Sequence, residues 1–179
     1  MNSVVSLLDD EHDGLVRQIW SDLEEGLGLR GVYVTPYPHF SYHVARSYDF
    51  EALAPALRQT TASRKPFTVT TGGLGIFTGP SPVLYVPVVR SPELTRFHQA
   101  LWQEISRTAT GSDIYYAPER WLPHITLGFS DLDGHLLAEA MRMLGTGNFN
   151  WEISISNVAV IRDTGKQQEL RERFDFGAA

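Results

Sequence analysis

Pro123-His124-Ile125-Thr126-Leu127-Gly128-Phe129 decides how the rest of the chain is read. Side chains alternate across a β-strand, so this segment sends His124 and Thr126 to one face and Ile125, Leu127 and Phe129 to the other. One face carries an imidazole and a hydroxyl, while the other is apolar and demands burial. Pro38-His39-Phe40-Ser41-Tyr42-His43-Val44 has the same form. There too a histidine follows a proline, a hydroxyl residue stands two places on, and large apolar residues fill the alternate positions. The histidines lie 85 positions apart in a chain of 179 residues. That spacing predicts two similar halves, each bringing a His-x-Ser/Thr strand to a common site.

Composition bounds the chemistry of such a site. The length fits one compact domain, residues 1–179, with enough core to stand without staples. The chain has no cysteine, so disulfides, thiol catalysis and cysteine-based zinc sites are excluded, in keeping with a reducing, cytoplasmic setting. No apolar run reaches the roughly 18 residues of a membrane span. A net charge of −6 argues against a broad basic surface for nucleic acid. It leaves room for a local basic pocket that takes a small anion or the end of an RNA. The expectation is a monomer with no membrane contact and no cofactor.

Along the chain, Leu15, Val16, Ile19, Trp20, Leu23 and Leu27 follow the spacing of one buried helix face. They predict a helix from Asp9 to Leu27, with acidic residues at its start and glycines at its exit. Gly31 to Pro36 reads as a short strand. A helix capped by Asp49 runs to about Arg58, although Pro55 opposes it. Strands are predicted at Phe67–Thr70, within the glycine-rich run 72–79, and at Val83–Val89, where Pro87 implies an edge or a bulge. The glycine run lacks the lysine and the strand-to-helix setting of a phosphate loop, so its glycines serve a bend or bulge. Ser91 and Pro92 open a helix whose buried stripe is Leu94, Phe97, Leu101, Trp102 and Ile105. Asp131 or Asp133 caps the next helix, through Leu144. Trp151, Ile153 and Ile155 alternate as a strand, Val158 and Val160 fall in the other phase, and a bulge near Asn157 reconciles them. Leu170–Phe176 is the last strand.

A His strand, an acid-capped helix and a further strand thus occur twice, near 39–70 and 124–162. These paired Pro-His-x-Ser/Thr motifs resemble the 2H phosphoesterase superfamily, which includes the bacterial 2′-5′ RNA ligase family and RNA cyclic phosphodiesterases. The resemblance spans most of the chain. It implies an α+β fold: a single bilobal, pseudo-symmetric domain whose two antiparallel sheets line a central cleft, with helices outside. It also implies hydrolysis of 2′,3′-cyclic phosphate ends to 2′-phosphates, and in some members 2′-5′ joining. Ser41 stands where threonine is commoner, and it keeps the hydroxyl while losing the methyl that stiffens the rotamer.

The chemistry also follows from the residues. Opening a cyclic phosphodiester needs a base for water and an acid for the departing ribose oxygen, and imidazole does either near neutrality. His39 and His124 are therefore the catalytic candidates. Ser41 and Thr126, two places along, are candidate donors to the non-bridging oxygens. His43 should share the face of His39, either supporting the site or filling space opposite Gly128. Tyr115, Tyr116, Arg120 and Trp121 precede the second motif, as rings that stack on a base and an arginine that grips phosphate, or as the anchors of a loop. Tyr116 and Arg120 are the substrate contacts expected from this group; Arg46 and Arg90 are weaker ones. His98 belongs to the core or its boundary, while His12 and His135 are expected in solvent. Two readings compete with metal-independent catalysis. One is a metal-dependent hydrolase that uses His39, His43 and His124 as ligands. The other is a non-catalytic module that binds a nucleotide or an RNA end.

Overall fold

The computed structural model describes residues 1–177. Its first sheet is antiparallel, with strands in the order Gln168–Asp175 (β10), Asn157–Asp163 (β9), Asn2–Leu7 (β1), His39–Tyr48 (β2) and Ala109–Ser112 (β6). A second group pairs Phe67–Thr70 (β3) with Glu152–Ile155 (β8). It also pairs Gly75–Phe77 (β4) with Val83–Pro87 (β5), and β5 with His124–Gly128 (β7). A bridge from Thr71 to Val88 joins these two parts.

Two helix pairs cover the sheets. Asp10–Leu27 (α1) packs against Gly134–Leu144 (α4) and on β7, while Phe50–Ala62 (α2) and Pro92–Ile105 (α3) pack together and cover β2, β9 and β10. Each helix is set by local chemistry. Asp9 accepts from the His12 backbone N–H at 3.0 Å, and Gly28 ends α1 at φ 71°, a conformation that glycine adopts without cost. Ser91 and Asp133 cap α3 and α4 through the N–H groups of Leu94 and Leu136. Leu94, Phe97, Leu101 and Ile105 on α3 are all buried. At roughly 1.5–3 kcal/mol for each fully buried side chain, that stripe alone contributes about 6–12 kcal/mol, as an upper bound.

The repeat expected from the motifs is present as β2–α2–β3 and β7–α4–β8, and its equivalent strands β3 and β8 pair with each other, Val69 opposite Ile153. Several expectations are corrected. Gly31–Val34 is a 3-10 turn and not a strand. The Asp131 carboxylate accepts from the backbone N–H groups of Arg30 and Gly31, both at 2.6 Å, and a Cβ on Gly31 would lie 1.9 Å from the Phe129 carbonyl. Asp131 is therefore spent on this dock, and Asp133 alone caps α4. Helix α2 runs beyond Arg58 to Ala62 and keeps Pro55 inside, because Leu53, Ala54 and Leu57 bury its face. Pro87 closes β5, which is central in its sheet and not an edge; the register shift of that strand lies at Leu84/Tyr85. Near Asn157 the chain changes sheets instead of bulging. The buried Asn157 side chain exchanges hydrogen bonds with both the N–H (2.9 Å) and the carbonyl (3.0 Å) of Leu7. His12, expected in solvent, is buried: its Nδ1 lies 2.6 Å from the Asp9 carboxylate and its ring rests against Trp151. Among the described residues, no helix is long and apolar enough to cross a membrane.

Candidate active site

The two His strands border one cavity of about 760 Å³, and His39, Ser41, His124 and Thr126 all line it. Their placement repeats in detail. Each histidine is half-buried and its Nδ1 faces the carbonyl two residues back: Tyr37 at 2.5 Å for His39, Leu122 at 2.7 Å for His124. A carbonyl only accepts, so Nδ1 carries the hydrogen in both rings and Nε2 holds the lone pair when the ring is neutral. The prolines between, Pro38 and Pro123, keep those carbonyl-bearing residues extended. This gives the Pro-His pairs of the sequence a physical function.

The repetition continues past the hydroxyls. In β2, Ser41 pairs with Val5 and His43 with Val4, leaving Tyr42 as an extra residue; in β7, Thr126 pairs with Tyr85 and Gly128 with Leu84, leaving Leu127 as the extra one. Both strands thus bulge directly after the hydroxyl residue, and the bulge reverses the phase of the remaining strand residues. His43, expected on the face of His39, is turned into the core. It is fully buried, its Nδ1 meets the Tyr48 hydroxyl at 2.7 Å and its ring leans on Trp102, whereas Val44 takes the cavity face. The three-histidine ligand set of the metal reading is not assembled. Among the described residues, no group of three or more His, Asp or Glu side chains is placed to hold a metal ion.

Two tryptophans brace the hydroxyl strands, Trp121 from the core and Trp20 from the cavity wall. The Trp121 indole N–H donates to the Ser41 carbonyl at 2.8 Å, and the Trp20 indole N–H donates to the Thr126 carbonyl at 3.1 Å. Trp121, a stacking candidate by sequence, is fully buried and serves as a brace, with His98 stacked on it at 3.8 Å. Arg90 hydrogen-bonds the carbonyls of Trp121 and Pro118, so it holds the loop and does not reach the cavity. Arg46 also lies outside the cavity lining, whereas Tyr115, Tyr116 and Arg120 belong to it.

Burial dominates the electrostatics. It pushes the His39 pKa down to about 4, with the neighbouring His124 adding to the effect. Burial also lowers His124, whose ring meets the edge of Phe77 at 4.8 Å and Tyr85 at 5.2 Å. Desolvation penalises the charged imidazolium, so burial favours the neutral form of both rings. Gly75 makes the apolar wall possible, because a Cβ there would stand 2.4 Å from the Tyr85 ring. Phe77, Trp20 and Leu122 were missed as lining residues by sequence reading. Phe129, assigned there to the buried face, follows the end of β7 and lines the cavity half-exposed.

A bilobal α+β fold with paired His-x-Ser/Thr strands on one cleft defines a class of protein, and the comparisons agree with it. The chain covers 98% of its own length against a protein of Thermus thermophilus (TM-score 0.66, 15% identity, 97% of that chain). It does so too against the E. coli LigT protein complexed with 3′-AMP (0.62, 14%, 97%) and against a protein described as a phosphoesterase (0.59, 14%, 97%). A comparison with curated proteins finds no match. The model of the 2′-5′ RNA ligase superfamily matches residues 8–167, and the chain belongs to that superfamily. Membership supports a phosphoesterase-type function.

Proposed function

We propose that this chain is a metal-independent phosphodiesterase that opens 2′,3′-cyclic phosphates to 2′-phosphates through His39 and His124. The observation that carries the reading is the duplicated tautomer lock: two imidazoles, each fixed with Nε2 unhydrogenated when neutral, on one cavity. One neutral ring takes a proton from water as the water oxygen bonds to phosphorus. The P–O3′ bond breaks, and the other ring, as imidazolium, gives its proton to O3′. The imidazolium forms when the anionic substrate enters, because a nearby negative charge favours the charged ring that burial otherwise disfavours. Ser41 and Thr126 donate to the non-bridging oxygens, and Tyr116 and Arg120 hold the rest of the substrate. A ribose 5′-hydroxyl in place of water would yield a 2′-5′ linkage by the same bond changes. The similar LigT structures, complexed with 3′-AMP and with ATP, support a nucleotide ligand.

The test is turnover of 2′,3′-cyclic nucleotides by His39→Ala and His124→Ala. Each should lose about 10²–10⁴-fold, and Ser41→Ala and Thr126→Ala should lose less. Near-normal rates in either histidine variant would refute proton transfer by that residue.

A further inference from the structure

The residues around the cavity mouth carry the reading further, toward the size and charge of the substrate. Met1, Val34, Ile76, Tyr115, Leu122 and Phe129 are exposed large apolar side chains, and all six line this one cavity. Among the described residues, Arg120 is the one Lys or Arg that does so, and it is balanced by Asp113 in the same lining. The chain offers little positive charge elsewhere. Eight of its 15 Lys and Arg residues are in ion pairs with nearby carboxylates. Arg90 is bound to the 118–121 loop, and Arg171 lies over the Phe50 ring at 3.5 Å.

A polynucleotide brings one charge per nucleotide and is held by a run of cations that track its backbone. This mouth has no such run, and a net charge of −6 repels a polyanion. An apolar rim around a pocket of about 760 Å³ instead matches the concave, mostly apolar sites that take small molecules. We infer that the substrate is a mononucleotide-sized cyclic phosphodiester with an aromatic body, and not the end of a long RNA. The inference rests on the phosphodiesterase reading and narrows it.

Adenosine 2′,3′-cyclic phosphate and a six-nucleotide RNA ending in the same group are compared from 50 to 500 mM KCl. The expected result is a kcat/KM for the hexamer no higher than for the mononucleotide. The salt slope should correspond to one or two phosphate contacts, about −0.7 to −1.4 on logarithmic axes at about −0.7 per contact. Tyr115→Ala should raise KM for the adenosine compound about fivefold or more, and leave KM for ribose 2′,3′-cyclic phosphate within twofold. A hexamer preferred more than tenfold, with a slope steeper than about −2, overturns the inference. If neither compound is turned over, the phosphodiesterase reading fails, and equilibrium binding of 2′-AMP and of a hexamer with a 2′-phosphate end decides the narrower question. Tighter mononucleotide binding upholds it; tighter hexamer binding, or none by either, overturns it.

Discussion

Replacing Trp121 by phenylalanine tests whether the brace behind the first motif serves catalysis as well as folding. Trp121 is fully buried and donates its indole N–H to the Ser41 carbonyl at 2.8 Å. Phenylalanine keeps one ring against His98 and loses the donor. A carbonyl deprived of its partner away from water costs about 1–3 kcal/mol. The space vacated by the second ring adds about 1 kcal/mol. The total, roughly 2–4 kcal/mol, lowers Tm by about 4–16 °C in a chain of this size, at 2–4 °C per kcal/mol. The Ser41 backbone is then free to drift, and a misplaced hydroxyl should cost about tenfold in kcat with KM held within twofold, because positioning acts on the transition state more than on binding. Trp102→Phe is the control. Trp102 is half-buried on α3, touches the His43 ring and does not line the cavity, so its loss should lower Tm without moving kcat. Thermal melts and steady-state kinetics with a 2′,3′-cyclic nucleotide, run well below every Tm, read both effects. Wild-type kcat in Trp121→Phe despite the expected loss of Tm would show that the indole holds only the fold.

Three further outcomes are expected. The pH profile of kcat/KM should be bell-shaped with its optimum below pH 6.5. Both histidines are depressed, so activity rises as the base deprotonates at low pH and falls once the acid loses its proton below its usual value; an optimum above about pH 7.5 contradicts this. His43 and His98 are fully buried with pKa values lowered to about 4. Below about pH 6.5 the unfolded chain takes up protons that the folded chain refuses, so stability falls with pH, by roughly 3 kcal/mol per histidine near pH 4. Denaturant melts of His98→Gln should show a shallower fall than wild type, and parallel curves would remove His98 from this account. EDTA should leave turnover intact, since the proposed proton transfers need only imidazole; loss of activity restored by zinc or manganese would favour a metal.

The motifs and the helices were legible because their signals are local. Capping residues, the Leu94-to-Ile105 stripe and the Pro-His pairs each act within a few residues, and they placed α1, α3 and α4 and the two His strands. The fate of His43 was not legible. A bulge is decided by the register against a neighbouring strand, and nothing in His39-Phe40-Ser41-Tyr42-His43 states where Val4 and Val5 will lie. Strand β1 escaped notice for a related reason. Ser3, Val4, Val5 and Ser6 are all buried, so a central strand covered on both faces shows no alternation. The tryptophan braces join residues 80 and 106 positions apart, a distance over which periodicity carries no information.

The central place of β1 also bears on how the protein is made. Val4 lies opposite His43 on one side and Val160 on the other. During synthesis at about 5–20 residues per second, β1 therefore waits roughly 8–30 s after leaving the ribosome for its second neighbour. Throughout that interval the nascent chain carries an apolar strand with one open edge, the kind of surface that chaperones cover and that other chains capture. The sheet that holds His39 and Ser41 can close only when β9 and β10 have been translated. The first motif itself waits less, because β2 has both of its own neighbours, β1 and β6, once residue 112 is made.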